Sequence, residues 1–360
     1  MNELTENHMS SNKKIPIGIL GATGSVGQKF IQLLDNHPFF ETVRVMASDK
    51  SVGKKYRDAV NWFLPTPIPQ KVSDMIVDKC LPSENVRFVF SGLDAKVAGD
   101  IETEFAKAGN AVVSNAKNHR MDKDVPLLIP EVNPGHLELV FSQSYNGGMI
   151  VTNPNCSTIG LTMALKPLED AYGIDQVNVV TMQAVSGAGL PGVSSVSMID
   201  NVIPYIGGEE EKIEHEPLKI LGDLEHNTVI LKNFRMSAQC NRVGVIDGHL
   251  ESVQVKFKNK AAIEDIIKSW QNFRGEPQNL RLPTAPNVPI HYFYERDYPQ
   301  PRLHRNLENG MAIAIGRLKE CPLFDYKFIV LSHNTMRGAA GGALLCAELL
   351  IKKGYFNHDD

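Results

Sequence analysis

The sequence predicts an α/β protein: a Rossmann-type, doubly wound parallel sheet, followed by an α+β domain whose sheet is antiparallel or mixed. Three observations carry this. Short apolar, β-branched runs alternate with helical stretches from Ile15 to Asn115. A glycine-rich turn joins the first run directly to the first helix. After Asn153-Pro-Asn-Cys156 the strands lengthen and begin to alternate apolar with polar residues.

In chain order, Ile15-Pro-Ile-Gly-Ile-Leu20 reads as a buried strand and Gln28–Asn36 as a helix, with Phe30, Ile31, Leu33 and Leu34 at helical spacing. Strands follow at Val43–Ala47, Val86–Phe90 and Ala111–Ser114, with a helix over Ala95–Gly109 before the last. Helical Ser157–Tyr172 leads to strands over Gln176–Val185, Ser237–Ile246 and His249–Phe257. Asp247-Gly248 between the last two signals a two-residue hairpin. Gly275–Leu303, rich in proline, reads as an irregular excursion, and Gly338–Lys352 as an Ala/Leu-rich helix packed back onto the first domain. The expected division is a first domain over 15–154, completed by a C-terminal helical segment over 335–360, and a second over 155–334.

Composition excludes several classes. The 360 residues are 42% hydrophobic and 22% charged, and 37 Lys+Arg against 41 Asp+Glu leave a net charge of −4. That is an ordinary globular balance, with no basic patch for nucleic acid and no apolar run long enough to span a membrane. Residues 1–14 are polar, without an apolar core or cleavage site, and are expected to form a disordered leader rather than a signal peptide. Five scattered cysteines without a CxxC pair predict neither disulfides nor a metal site, and fit a reduced, cytoplasmic protein.

The glycine turn, Gly21-Ala-Thr23-Gly24-Ser25-Val26-Gly27, places backbone N–H groups and a helix N-terminus where a dinucleotide's pyrophosphate can sit. Its spacing is G-x-x-G-x-x-G rather than the commoner G-x-G-x-x-G. After the second strand, Ser48, Lys50 and Ser51, with Lys54 and Lys55 beyond, suit the 2′-phosphate of NADP, whereas Asp49 suits the bare ribose of NAD. Cys156 lies at a helix start with Ser157 and Thr158 as candidate caps. That end of a helix lowers a thiol's pKa. Read alone, Cys156 is open between packing and nucleophile, and His249, beside the Asp247-Gly248 turn, between a surface histidine and an acid–base.

Six stretches occur together in order: the glycine turn, Asn153-Pro-Asn-Cys-Ser-Thr158, Gln183-Ala-Val-Ser-Gly-Ala-Gly189, Gly207-Gly-Glu-Glu-Glu-Lys212, Arg242-Val-Gly-Val-Ile-Asp-Gly-His249 and Asn334-Thr-Met-Arg-Gly-Ala-Ala-Gly-Gly342. Over residues 15–355 they resemble the aspartate-semialdehyde dehydrogenase family, in particular its archaeal and fungal branch. The resemblance implies an NADP-binding first domain and a catalytic and dimerisation second domain. The implied reaction is reductive dephosphorylation of L-4-aspartyl phosphate to L-aspartate 4-semialdehyde through a cysteine thioester, on the route to lysine, methionine and threonine. It implies Cys156 as nucleophile, Gln183 as the orienting residue and His249 as acid–base. Arg242 would hold the α-carboxylate, Glu209 the α-amino group, and Lys212 and Arg120 the phosphate. Ser91, Ser186, Gly187 and Asn334 would touch the cofactor; the family commonly carries Arg where this chain has Lys50. A homodimer or homotetramer is implied, with small-molecule substrate and phosphate as its other partners. The rival readings are malonyl-CoA reductase, whose substrate has no α-amino group for Glu209, and a non-enzymatic NADP-binding redox sensor, which needs no substrate cations.

Overall fold

A computed structural model describes residues 14–356; the expected leader lies outside the described residues apart from Lys14, as do the last four residues of the 335–360 segment. Two sheets organise the chain. Strands β1 (Ile15–Leu20), β2 (Phe40–Met46), β3 (Phe88–Ser91), β4 (Ala111–Ser114) and β5 (Met149–Thr152) form the first, in the order β2-β1-β3-β4-β5. All four pairings are parallel. The order reverses between β1 and β3, and an open parallel sheet binds its ligand at such a switch point. Helix α1 (Ser25–Leu34) leaves from β1 at that point, and α2 (Ala95–Lys107) connects β3 to β4. Strand β5 is an addition to the sequence-predicted set.

Helix α3 (Cys156–Tyr172) passes to the second sheet, built from β6 (Ile174–Gln183), β9 (Arg235–Arg242), β10 (His249–Phe257), β11 (Ile290–Phe293), β12 (Ile313–Glu320) and β13 (Tyr326–Ser332). A small separate hairpin, β7 (Asp223–Glu225) and β8 (Thr228–Ile230), follows helix α4 (Glu209–Ile220). The sheet order is β11-β12-β13-β10-β6-β9, and it is mixed: β6–β9 and β11–β12 run parallel, the rest antiparallel. The expected hairpin across Asp247-Gly248 is not formed. Strand β6 lies between β9 and β10, so the segment after β9 crosses over it, and the Gly248 N–H is taken by Asn334 Oδ1 at 2.8 Å.

The six-stranded sheet packs its alternating buried face, including Val177, Val179, Val253 and Val255, against Ile159, Leu161 and Leu165 of α3. Helix α5 (Ile263–Asn272) adds Ile266 and Trp270 to the same core. Helix α6 (Gly341–Lys352) buries Leu344, Leu345 and Leu349 with Phe30, Phe88 and Val113 of the first sheet. It is reached through a wide turn, Met336–Ala340, where Arg337 forms a fully buried two-pronged pair with Glu131, at 2.7 and 2.5 Å. That turn runs so close over α3 that a Cβ on Gly338 would sit 2.7 Å from Cys156 Cβ.

Candidate active site

Strand pairing brings three of the expected side chains to one edge. Gln183 ends β6 and Arg242 ends its parallel neighbour β9, directly opposite in register. His249 begins β10, whose next residue, Leu250, pairs with Met182. Helix α3 starts above this edge. Its first residue is Cys156, whose Sγ lies 3.2 Å from His249 Nε2. The cap is Asn155 rather than Ser157 or Thr158: its Oδ1 accepts from both of their backbone N–H groups, at 3.0 and 3.3 Å. Asparagine immediately before the cysteine was the better cap signal, since Ncap precedes the first helical residue.

The backbone of one residue, Ala184, orients both His249 and Arg242. The Ala184 N–H donates to His249 Nδ1 at 3.1 Å, and its carbonyl accepts from Arg242 Nη1 at 2.7 Å. With Nδ1 an acceptor, the neutral imidazole carries its proton on Nε2, facing the sulfur. Gly187 keeps this corner open, because a Cβ there would stand 2.8 Å from Arg242 Nη1 and 3.1 Å from His249 Cε1.

Electrostatics depart from the expectation of a thiol lowered by its helix. Dense packing pushes Cys156 up to about 12, Glu209 adds to the rise, and Arg120, Arg242 and Lys212 offset only part of it. Burial, and then the Arg242 charge, push His249 down to about 3. At neutral pH the unliganded pair is therefore thiol and neutral imidazole. Glu209 goes the other way. Burial opposes its charge, but Lys212 Nζ at 2.7 Å, Asn155 Nδ2 at 2.9 Å and Gln183 Nε2 at 3.3 Å hold its carboxyl below the ordinary value. Arg120 is 7% exposed, bonded to Glu216 and to the Asn115 carbonyl, each at 2.8 Å.

A cavity of about 640 Å³ runs from Ser25 and Val26 of the glycine turn to Arg120, Cys156, Gln183, Glu209, Ser186, Gly187 and Asn334. That volume suits a small-molecule or cofactor site. Asn334 bridges its middle, with Nδ2 on Ser186 Oγ at 2.8 Å. At the turn, Gly21 has φ +72°, and a Cβ on it would meet the Gly92 carbonyl at 2.7 Å, so glycine is required for β1 and β3 to end this close. Thr23 contributes its carbonyl to Gln28, and Gly24 caps α1 without a side chain. No acid occupies the first turn, through Gly27, which leaves the positive helix end available to a pyrophosphate. The residues present fit a dinucleotide. Ser48, Lys50, Ser51 and Ser91 do not line this cavity: Ser48, Lys50 and Ser51 form the turn after β2, and the buried Ser91 hydroxyl is committed to Glu102 at 2.5 Å.

Sequence reasoning missed Glu216 and Lys219, both 3% exposed beneath the site. Their signal was present in the 209/212/216/219 spacing, which places Glu and Lys on one face of α4.

Comparisons with known proteins match both halves of the chain. Residues 16–140 match the family described as "Semialdehyde dehydrogenase, NAD binding domain", and residues 165–337 "Semialdehyde dehydrogenase, dimerisation domain". The aspartate-semialdehyde dehydrogenase of Methanothermobacter thermautotrophicus is 48% identical over 93% of this chain and 99% of its own. That of Saccharomyces cerevisiae is 46% identical over 95% and 99%. Among solved structures, the Candida albicans enzyme with NADP superposes with a TM-score of 0.88 at 44% identity, covering 96% of this chain and all (100%) of that one. With both halves matched, and relatives at this identity aligned almost end to end, the chain belongs to the aspartate-semialdehyde dehydrogenase family.

Proposed function

We propose that the protein is an NADP-dependent aspartate-semialdehyde dehydrogenase, interconverting L-4-aspartyl phosphate and L-aspartate 4-semialdehyde in amino-acid biosynthesis. The observation that carries the reading is the Cys156–His249 contact of 3.2 Å, set between a carboxylate–lysine pair and two arginines. In this reading the Cys156 thiol passes its proton to the departing phosphate as its sulfur displaces that group from the acyl phosphate, giving a thioester and inorganic phosphate. NADPH, when bound, supplies the hydride that takes this acyl group to the aldehyde level. His249 presents its Nε2 proton to the substrate oxygen as charge develops there, and collapse of the adduct returns the sulfur. Gln183 orients the acyl group, and Arg242 holds the α-carboxylate with its planar fork.

Glu209 and Lys212 are paired at 2.7 Å in the unliganded site. A substrate with an ammonium at one end and a phosphate at the other would exchange partners with that pair, ammonium to Glu209 and phosphate to Lys212 and Arg120. A malonyl-CoA thioester has no α-ammonium and no phosphate on its acyl carbon. Arg242→Lys, which keeps charge but loses the fork, is expected to raise KM for aspartate semialdehyde about tenfold. Glu209→Gln should raise the same constant while sparing KM for phosphate, and Lys212→Ala should do the reverse. Steady-state kinetics of phosphate-dependent NADP reduction reads all three; equal shifts in both constants would remove these roles and return weight to malonyl-CoA reductase.

The cofactor reading is NADP, through the glycine turn, with Ser48, Lys50 and Ser51 toward the 2′-phosphate and the end of β3 at Ser91 along the cofactor. Lys50→Ala should erode the preference for NADP over NAD; equal affinities in the unaltered protein would give the site to Asp49. A homo-oligomer, dimer or tetramer, fits the matched dimerisation domain. The reading keeps the domain division at 15–154, 155–334 and 335–360, and a cytoplasmic setting. Among the described residues, no helix is long and apolar enough to cross a membrane.

A further inference from the structure

Helix α4 presents Glu209, Lys212, Glu216 and Lys219 on one face. Alternating charge on a helix normally marks a solvated surface. Here the face turns inward, and Glu216 is 3% exposed and does not line the cavity. Yet its two oxygens grip two different parts of the site. Oε1 accepts from Arg120 Nη1 at 2.8 Å, and Oε2 accepts from the Asn155 backbone N–H at 2.7 Å. Asn155 is the cap of α3 and directly precedes Cys156. Lys219 ties the Arg120 loop to the same helix, donating from Nζ to the carbonyls of Arg120, Asp122 and Val125 at 2.7, 2.7 and 2.8 Å.

We propose that Glu216 is a positioning residue that makes the phosphate site and the nucleophile one mechanical unit. An anion arriving at Arg120 competes with Glu216 for the guanidinium, and the carboxylate passes any shift through the Asn155 amide to the cap that presents Cys156. This rests on the phosphate reading of Arg120 given above. Both of Glu216's partners are donors, so only a carboxylate satisfies both. A glutamine has one acceptor oxygen, and its amide nitrogen would face either the guanidinium or the Asn155 N–H. An aspartate keeps the charge but is one methylene short of spanning both.

The test is phosphate-dependent oxidation of aspartate semialdehyde by the full-length protein with NADP. Glu216→Gln should raise KM for phosphate about tenfold. It should also lower kcat by up to about 10²-fold, the cost of a slightly misplaced reacting group. KM for aspartate semialdehyde should stay near wild type, a split that general loosening of the fold would not produce. Combined with Arg120→Ala, the same substitution should add little further to KM for phosphate, because the two act through one contact. If Glu216→Gln does not fold, Glu216→Asp carries the test, with the same split at smaller size. The proposal is overturned if phosphate KM and kcat stay at wild type, if all constants shift together, or if the double variant is simply additive. If Arg120→Ala leaves phosphate KM unchanged, the phosphate reading of Arg120 falls and this proposal with it. If Arg120→Ala raises it and Glu216→Gln does not, only the coupling fails.

Discussion

Cys156→Ser is expected to lower turnover on the order of 10⁴-fold or more, with fold and NADP affinity preserved. A serine hydroxyl is a far weaker nucleophile than a thiol and cannot form the thioester. The fold should survive because the tight neighbour, Gly338, packs against Cys156 Cα and Cβ, which serine keeps. The same site makes a second, graded expectation. Packing and Glu209 outweigh the helix end and three cations, so the free thiol is raised. Inactivation of the free enzyme by iodoacetamide should therefore keep accelerating past the ordinary thiol pKa of about 8.5. A plateau near neutral pH would mean that the cations and the helix end win, and near-normal turnover in Cys156→Ser would remove the thiol as nucleophile.

The parts of this site that were legible in the sequence share one property: they sit where an element begins or ends. The glycine turn follows a strand and opens a helix, and Cys156 opens the next one, so local pattern alone places them. What local pattern does not hold is which strands become neighbours. Asp247-Gly248 has ideal hairpin chemistry, yet β6 takes the place beside β10, because sheet order is set by burial of whole faces rather than by one turn. Nor does it hold solvation. Nothing local marks Glu216 and Lys219 as buried, and only tertiary packing buries them against the Arg120 loop. The helix-end argument for Cys156 was likewise half of a balance, since desolvation has no sequence signature. Strand β5, four residues long behind Gly147-Gly148, was too short to stand out from the glycine-rich loop before it.

His249→Asn is expected to lower kcat by roughly 10²–10⁴-fold, the usual worth of a positioned acid–base. The geometry makes the expectation more specific. Ala184 N–H occupies Nδ1, so the working proton sits on Nε2, toward Sγ and the substrate oxygen. A glutamine amide reaches the Nε2 position whereas an asparagine amide reaches only as far as Nδ1, so His249→Gln should lose less activity than His249→Asn. Because burial and Arg242 push the imidazole down to about 3, the ring stays neutral through the working range. The wild-type pH–rate profile should then show no limb at the ordinary imidazole value of about 6.5. Stability carries the matching sign. The unfolded imidazole binds a proton below about 6.5, but the buried ring does so only near 3, so this residue's contribution is present above the unfolded value and is lost as pH falls toward the folded one. Denaturant unfolding of His249→Asn should accordingly weaken less steeply with acid than wild type. A limb near pH 6.5 in kcat that disappears in His249→Asn would show a ring that titrates at work, and with it a site more hydrated than the packing around Ala184 and Arg242 allows.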